Sequence, residues 1–313
     1  MTELQPDVMN SAARGAPVAP PDQARRAHLA MIALAALVAT SFSFGSLIAA
    51  SIEPVPLTFA RFVIATFGFA GAMAATRTRL KVDGGLICRA LVLGFIYVAY
   101  FVTMFTALKT VSPLSTGAVF ALAPLMSAAI GWLVLKRRLA AVAWALLMTA
   151  GCGAVWVVFD GDPEKLAGFH VGNGEIIYFA GCLIYACYPV FLQKTARGDP
   201  AVLLTFSSFI AAMALLLAWD GKAIMTQDWL ALGPWQWAAL VWLAVVPTAI
   251  TFFLLQYASL RLPPAKVMAY TYLTPACIVP IEMALGHGLP TLSVIGGIAV
   301  IVAALAAFQT RPD

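Results

Sequence analysis

The chain has 313 residues, of which 62% are hydrophobic and only 11% are charged, and its mean hydropathy is +0.91. This composition excludes a soluble protein, which could not cover so much apolar surface. The formal net charge of +5 does not indicate nucleic-acid binding, because the basic residues fall mainly in short segments between long apolar runs.

Ten apolar windows follow one another along the chain, each close to the roughly 20 residues that cross a bilayer as a helix. The runs are too long and alternate too little to be strands of a membrane barrel. The sequence therefore predicts an all-α integral membrane protein. Its ten transmembrane helices are expected at about 28–50, 56–76, 86–108, 112–135, 140–159, 173–193, 200–219, 235–258, 264–286 and 290–309.

The basic residues predict the orientation of these helices. With the N-terminus in the cytoplasm, 15 of the 19 Lys and Arg residues fall on the cytoplasmic side, as the positive-inside rule expects. Both termini are then cytoplasmic. The four basic residues on the other side are Arg61, Lys109, Lys165 and Lys222.

The chain opens with residues 1–27, which are rich in Pro and Ala and are predicted to form a disordered cytoplasmic tail. A cleaved signal peptide is the alternative for the first apolar run. That run is longer than a signal-peptide core of about 7–15 residues, which favours a retained helix. In the third window, Tyr97, Tyr100 and Met104 are spaced to share one helix face.

The widest gap in the apolar pattern lies at 160–172, which is predicted to be a linker between two halves. Helical spacing again places aromatic and polar residues together in the second half. Two sets are each expected on one face: Tyr178, Tyr185 and Tyr188 in the sixth helix, and Trp242, Ala249 and Gln256 in the eighth.

An internal repeat relates the two halves at an offset of 151 residues. The two copies occupy the fourth and ninth windows. The aligned identities are Ala107 with Ala258, Pro113 with Pro264, Ala118 with Ala269, and Pro124 with Pro275.

Five helices in each half is an odd number, so the second copy must enter the membrane from the opposite side. The loop charges agree, because Lys136–Arg138 follows the first copy and Gly286–Gly288 follows the second. The sequence thus predicts two inverted five-helix repeats, at 28–159 and 173–309. Inverted repeats are the usual frame of a secondary transporter.

These features resemble the EamA-type branch of the drug/metabolite transporter superfamily, over about residues 28–309. The resemblance rests on Arg61 in TFARFVIA, Pro113 at the start of the fourth helix, ALAPL around Pro124 and LTPACIVPIE around Pro275. It implies a multi-pass carrier of the bacterial inner membrane, in a group with many exporters of amino acids or other metabolites. The family often has Gly-Glu-Arg after helices 4 and 9, which this chain lacks, so no role is carried over for that Glu.

No catalytic motif competes with this interpretation. The three histidines, His28, His170 and His287, fall at predicted loops, and the sequence has no HExxH, Walker A or GxSxG motif. The five cysteines form no CxxC pair, which argues against a disulfide framework and a zinc site. We therefore expect no enzyme activity, no cofactor and no metal.

Charged residues and prolines inside the windows are the first candidates for function. Arg61 is a candidate for charge binding or coupling, because an ionised group inside a span is costly; the alternative is that it snorkels to the outer interface. Glu282 is a candidate for proton coupling or cation contact, against a solvated helix end or an ion pair with Arg61. Pro124 and Pro275 are candidate gating hinges, against static kinks that shape the cavity.

Aromatic residues are the candidates for substrate binding, because the resemblance places their helices around a central cavity. An aromatic wall with a few polar groups suits a small, partly apolar solute. Ordinary helix packing or an interfacial belt is the alternative. The residues are Phe42, Tyr97, Tyr100, Tyr185, Tyr188, Trp242 and Tyr270.

We therefore predict a secondary active transporter that moves a small organic metabolite, an amino acid or related compound, across the inner membrane by alternating access, and outward. An importer of a vitamin or metabolite is the alternative, because nothing in the sequence determines direction. A non-transporting scaffold is disfavoured, since the longest loops are too short for a docking domain. The expected partners are a small-molecule substrate and membrane lipid, with no nucleic acid; a homodimer is left open.

Overall fold

The structure is a computed structural model of the chain. It describes residues 20–49, 51–78, 82–111, 113–136, 138–284 and 289–311, without the side chains at 42–47, 49, 113–115, 282 and 284. Every regular element in these ranges is helical, which confirms the predicted all-α class.

The first half of the chain forms six helices. They are α1 (Pro21–Ala49), α2 (Pro54–Ala75), α3 (Gly84–Leu108), α4 (Pro113–Phe120), α5 (Ala123–Leu135) and α6 (Ala141–Val158). Helix α1 begins at Pro21 rather than at 28, because proline fits the first helical turn and Asp22 complements its positive end. Residues 21–27 thus belong to a helix and not to the predicted disordered tail, and Ala27 is fully buried.

The second half follows a linker that holds the short helix α7 (Pro163–Ala167). In this linker Lys165 lies 2.6 Å from the carboxylate of Asp160, and that hydrogen bond raises the pKa of Lys165. The remaining α-helices are α8 (Asn173–Ala186), α9 (Tyr188–Thr195), α10 (Ala201–Thr226), α11 (Pro234–Ala244), α12 (Thr251–Ser259), α13 (Pro264–Ala269), α14 (Leu273–Ala284) and α15 (Leu292–Gln309).

Within the described residues, eight helical stretches are long and apolar enough to cross a membrane. They are Pro54–Ala75, Gly84–Leu108, Thr116–Leu135, Ala141–Val158, Asn173–Thr195, Ala201–Thr226, Pro234–Ser259 and Leu292–Gln309. These stretches support a multi-pass membrane protein. The predicted first and ninth spans, at α1 and α13–α14, are not among the eight, so the count of ten is not confirmed.

Several helices are interrupted next to a proline. Helices α4 and α5 are separated at Ala121–Leu122, so that Pro124 lies in the first turn of α5. A 3₁₀ turn, Tyr270–Tyr272, separates α13 from α14 and places Pro275 in the first turn of α14. A proline lacks the amide N–H, which is tolerated in a first turn, whereas a proline further along a helix, such as Pro280 in α14, removes a backbone hydrogen bond. The two interruptions occupy equivalent positions of the 151-residue repeat.

A different interruption lies in the eighth predicted span. Between α11 and α12 the chain forms a π-helix, Val245–Ile250, which contains Pro247. A π-helix has more residues per turn than an α-helix, so the faces before and after it are no longer in register.

The helices of the two halves pack against each other across the middle of the molecule. Helix α3 packs on α8 and α10, α2 on α10 and α11, α1 on α12 and α14, and α6 on α15. Phe62 of α2 stacks on Phe209 of α10 with ring centroids 5.2 Å apart. These two residues are equivalent when Thr58 is aligned with Thr205. The buried core therefore lies between the halves.

Candidate functional site

A small cavity of about 30 Å³ lies between the two halves. The first half contributes Tyr100 and Phe101 of α3, and the second contributes Tyr185 of α8 with Thr251 and Phe252 of α12. No charged side chain of the described residues lines it. A volume of this size holds one or two water molecules, whereas pockets for organic ligands measure about 300–1,000 Å³. The conformation is thus closed around its centre.

Two tyrosines from opposite halves meet in the cavity wall. The rings of Tyr100 and Tyr185 are stacked with centroids 4.4 Å apart. The hydroxyl of Tyr100 lies 3.3 Å from that of Tyr178, which is buried on the same face of α8. The helical spacings predicted for α3 and α8 therefore produce one aromatic cluster.

A hydrogen-bonded chain, which we call the polar floor, lies next to this cluster. Tyr97 donates to Tyr188 at 2.7 Å, and Tyr188 donates to Oε1 of Gln256 at 2.9 Å. Thr205 donates to the same oxygen at 3.0 Å. All four side chains are fully buried, and Nε2 of Gln256 has no hydrogen-bond partner in the described part of the chain.

The polar floor lies on the predicted cytoplasmic side of the cavity. Tyr97 precedes Tyr100 by one turn of α3, which runs outward in the predicted topology. Tyr188 follows Tyr185 by one turn, and Gln256 follows the cavity residue Phe252 by one turn, on segments that run inward. The floor joins the first half, through Tyr97, to the second half, about one helical turn from the cavity wall.

Arg61 is buried inside the protein and is only 1% exposed, so the structure does not support the alternative that it snorkels to the outer interface. Its Nε and Nη2 atoms donate to Oγ1 of Thr248 at 3.1 and 2.7 Å. The centre of its guanidinium group lies 4.2 Å from the ring centroid of Phe101 and 5.2 Å from that of Phe105.

Thr248 accepts these bonds because the π-helix orients its hydroxyl. The Thr248 hydroxyl donates to the carbonyl of Leu243, five residues earlier, at 2.7 Å. Its hydrogen is thereby engaged, and its lone pairs are available to Arg61.

Two predicted aromatic residues lie away from the cavity. Trp242 is 43% exposed, and its Nε1 donates to Thr40 at 3.3 Å. The prediction that Trp242 shares a face with Gln256 is wrong, because the π-helix between them shifts the helical register. The hydroxyl of Tyr270 lies 2.8 Å from Nδ1 of His28 near the start of α1, and Tyr270 does not line the cavity.

The remaining predicted site residues fall into two groups. The side chains of Phe42 and Glu282 lie outside the described residues. Pro124 and Pro275 are described, at the first turns of α5 and α14, and neither lines the cavity. In the part of the chain that the structure describes, no cluster of His, Cys, Asp or Glu is placed to hold a metal ion.

Polar contacts also join the halves nearer the predicted cytoplasmic surface. Arg89 of α3 lies 2.5 Å from the carboxylate of Asp199, which precedes α10, and it donates to the carbonyl of Thr195 at 3.3 Å. The side chain of Arg89 is 6% exposed and that of Asp199 is 24% exposed. This partly buried ion pair lies between residues of the two halves.

Three functional candidates were missed by sequence reasoning. Helical spacing placed Gln256 on a face but gave it no role, Thr248 carries no motif, and the Arg89–Asp199 pair joins residues far apart in sequence. Pro247 is a local signal for Thr248, because a proline inside a span breaks the helical hydrogen bonding. Residues next to such a break can make contacts that a regular helix does not allow.

A comparison with models of protein families identifies one family. A model of the EamA-like transporter family matches residues 25–159 and 172–309. The chain is similar to the uncharacterized transporter YyaM of Bacillus subtilis (strain 168), with 24% identity over 221 residues, which are 69% of this chain and 72% of that protein. A crystal structure of a protein with 21% identity superimposes with a TM-score of 0.73 and covers 91% of this chain and 96% of its own; this likeness shows the fold.

Proposed function

Since this chain belongs to the EamA-like transporter family, we propose that it is a secondary active transporter which moves a small organic metabolite, an amino acid or related compound, out of the cell by alternating access. Family membership makes it a membrane transporter and agrees with the prediction that it is not an enzyme. The outward direction and the substrate class are parts of the proposal that the family resemblance supports.

The observation that carries this proposal is the cavity between the halves. Its wall is shared by α3 of the first half and by α8 and α12 of the second. Alternating access requires such a site, which a rocking of one half against the other exposes to each side in turn. The stacked Tyr100 and Tyr185 belong to opposite halves, so this motion separates or slides their rings.

We further propose that ten spans form two inverted five-helix repeats, at 28–159 and 173–309. Helix α1 has 29 residues, about 43 Å at 1.5 Å per residue, which exceeds the bilayer core of roughly 30 Å. Residues 264–284, which comprise α13, the 3₁₀ turn and α14, form an interrupted helical unit that is about as long as a membrane span. Adding these two to the eight candidate stretches gives ten, and the equivalent interruptions at Pro124 and Pro275 support the repeat.

Transport is tested by counterflow in proteoliposomes that contain the full chain. Liposomes preloaded with one unlabelled amino acid, nucleoside or vitamin are diluted into a trace of the same labelled solute. We expect transient accumulation for at least one solute and none in protein-free liposomes. If no solute of the panel exchanges, the carrier proposal is contradicted. Comparing uptake by right-side-out vesicles with uptake by inverted vesicles then determines direction, because uptake by inverted vesicles corresponds to export from the cell.

The topology is tested by cysteine labelling in a variant whose five native cysteines are replaced. We expect Lys165→Cys to react with a membrane-impermeant maleimide in intact cells, and Arg197→Cys to react only in inverted vesicles, because the two residues lie on opposite sides in the proposed orientation. Reaction of both residues from one side contradicts the inverted repeat.

A further inference from the structure

Arg61 is a buried cation whose hydrogen bonds are incomplete. Two of its three nitrogen atoms share the single hydroxyl of Thr248, and Nη1 has no hydrogen-bond partner among the described residues. No carboxylate of the described residues lies within ion-pair distance of it. An ionised group that is 99% buried, with no anion beside it among the described residues, is costly, and proteins retain such groups mainly where they bind something.

The surroundings of Arg61 stabilise its charge without neutralising it. Phe101 and Phe105 present their rings to the guanidinium group, and such cation–π contacts favour the charged form. A threonine hydroxyl accepts hydrogen bonds but carries no charge. The positive charge therefore remains available to an anion from outside the protein.

The position of Arg61 connects it with the cavity. Phe101 lies against the guanidinium group and also lines the cavity. Pro247 also lines the cavity, and it directly precedes Thr248, which accepts the hydrogen bonds of Arg61. Arg61 itself does not line the cavity in this conformation, so a solute in the cavity reaches its guanidinium group only after the Phe101 ring moves.

We propose that the transported solute carries a carboxylate, and that Arg61 binds this group through Nη1 while the aromatic cluster holds the apolar remainder of the solute. The inference rests on the proposed transport function and names the solute's chemical class. A guanidinium group matches the geometry and the single charge of a carboxylate. No basic side chain of the described residues lines the cavity. Arg61, beside the cavity residue Phe101, thus offers a single positive charge, which suits a carboxylate better than a dianionic phosphate.

Binding is measured separately from transport, by thermal unfolding of the full chain in detergent. The probes are L-phenylalanine, L-leucine, phenylpyruvate and 4-phenylbutyrate, each compared with its primary amide. We expect at least one acid to raise the unfolding temperature. Its amide should need an about tenfold higher concentration for the same rise, because a charged hydrogen bond is lost. If no acid raises the temperature, or if an amide acts as strongly as its acid, the inference is overturned.

Variants then assign the effect to Arg61. In Arg61→Gln we expect the difference between acid and amide to disappear, and in Arg61→Lys we expect it to persist at lower affinity, because the charge remains but the second donor is lost. Ser208→Ala is the matched control, since Ser208 is the equivalent position of the repeat, is buried, and bonds only to its own helix at Leu204. It should leave the preference unchanged. If Arg61→Gln keeps the preference for acids, the site lies elsewhere.

Glu282→Gln separates a ligand site from a structural ion pair. If Arg61 binds the solute, this variant retains the preference for acids over amides. If Glu282→Gln abolishes the preference as Arg61→Gln does, Arg61 is a structural partner of Glu282 and the proposal fails. A counterflow panel without any exchange would instead contradict the transport function, while the unfolding measurement still decides whether Arg61 binds a carboxylate.

Discussion

Tyr185 and Trp242 are both large aromatic residues of membrane helices, yet they lie in different environments. Tyr185 is 5% exposed and stacks on Tyr100 in the cavity wall, whereas Trp242 is 43% exposed on the outer surface of α11. The first is positioned to contact a solute in the cavity. The second is positioned to contact lipid, where an indole ring is common.

This difference predicts opposite effects of substitution. Tyr185→Ala should raise the apparent Km in proteoliposome exchange about tenfold or more, because an aromatic contact worth roughly 1.5 kcal/mol is lost with its buried area. Trp242→Phe should leave Km unchanged. An equal rise in Km in both variants would mean that the aromatic residues act through helix packing and not through the cavity.

Gln256 is the common acceptor of the polar floor, and the direction of its hydrogen bonds matters. Gln256→Leu leaves the buried Tyr188 hydroxyl without an acceptor and also removes one acceptor of Thr205. Tyr97→Phe removes only a donor, so Tyr188 still donates to Gln256. The first change leaves a buried hydroxyl group without an acceptor, and the second does not.

We therefore expect Gln256→Leu to reduce the free energy of unfolding by about 1–3 kcal/mol and Tyr97→Phe by about 0.5–1.5 kcal/mol. Thermal unfolding in detergent, with both variants in the same preparation series, measures the difference. A larger loss for Tyr97→Phe would show that the floor is not organised around the Gln256 oxygen.

At the scale of helices, eight of the ten predicted spans coincide with helical stretches that could cross a membrane. Pro124 and Pro275 indicated two of the interruptions, whereas the π-helix was not predicted. Long apolar runs placed α2, α3, α6 and α15 within two residues of the observed ends, because length and hydrophobicity alone decide which segments enter a membrane. The π-helix at Val245–Ile250 depends on packing around Pro247 as well as on the proline itself. Helical spacing carried across it therefore placed Trp242 on the wrong face.

The same limit applies to the candidate site. Tyr97, Tyr100, Tyr185 and Tyr188 were identified because regular helices preserve the predicted face from residue to residue. Thr248 was not, because its contact with Arg61 is set by the altered helical turn and by a neighbouring helix. Sequence spacing describes one helix at a time, whereas these contacts require two.

Helices α3 and α10 approach each other closely at Gly94. A Cβ atom at this position would lie 2.8 Å from the backbone nitrogen of Ala212 and 2.8 Å from the backbone oxygen of Ser208. Backbone atoms cannot move aside as a flexible side chain can. Gly94 thus allows α3 of one half to pack against α10 of the other.

Gly94→Ala is expected to destabilise the protein by about 1–3 kcal/mol, because the helices must separate. Gly71→Ala is the matched control, since a Cβ there meets nothing within 4 Å, and it should be neutral or stabilising by up to about 1 kcal/mol from helix propensity. Thermal unfolding of the two variants in detergent measures both. Equal stability of the two variants would contradict the close approach of α3 and α10.

At the scale of the whole molecule, alternating access requires contacts that hold the halves together on one side and can break. The polar floor and the Arg89–Asp199 ion pair both join the halves on the predicted cytoplasmic side. They lie one above the other, with the ion pair nearer the surface. We infer that the described conformation is closed toward the cytoplasm and that inward opening breaks both contacts.

The ion pair provides the test of this inference. Thr251→Cys places a thiol in the cavity wall, in a variant without the five native cysteines. We expect Arg89→Ala to increase its rate of reaction with an impermeant maleimide in inverted vesicles about fivefold to thirtyfold, the factor that corresponds to one or two kcal/mol. Asp199→Ala should act similarly, and the double variant should add little, because both remove the same contact.

Lys165→Ala is the control for this experiment, because it removes an ion pair of similar length, to Asp160, that is exposed in the linker. Exposed ion pairs contribute little to stability, and the Lys165–Asp160 pair does not join the two halves. The rate at which the Thr251→Cys thiol reacts with the maleimide should therefore not change. An unchanged rate in Arg89→Ala would mean that the Arg89–Asp199 pair does not hold the cytoplasmic side closed. In that case the polar floor alone would have to separate the cavity from the cytoplasm, and Gln256→Leu should then produce the increase that Arg89→Ala does not.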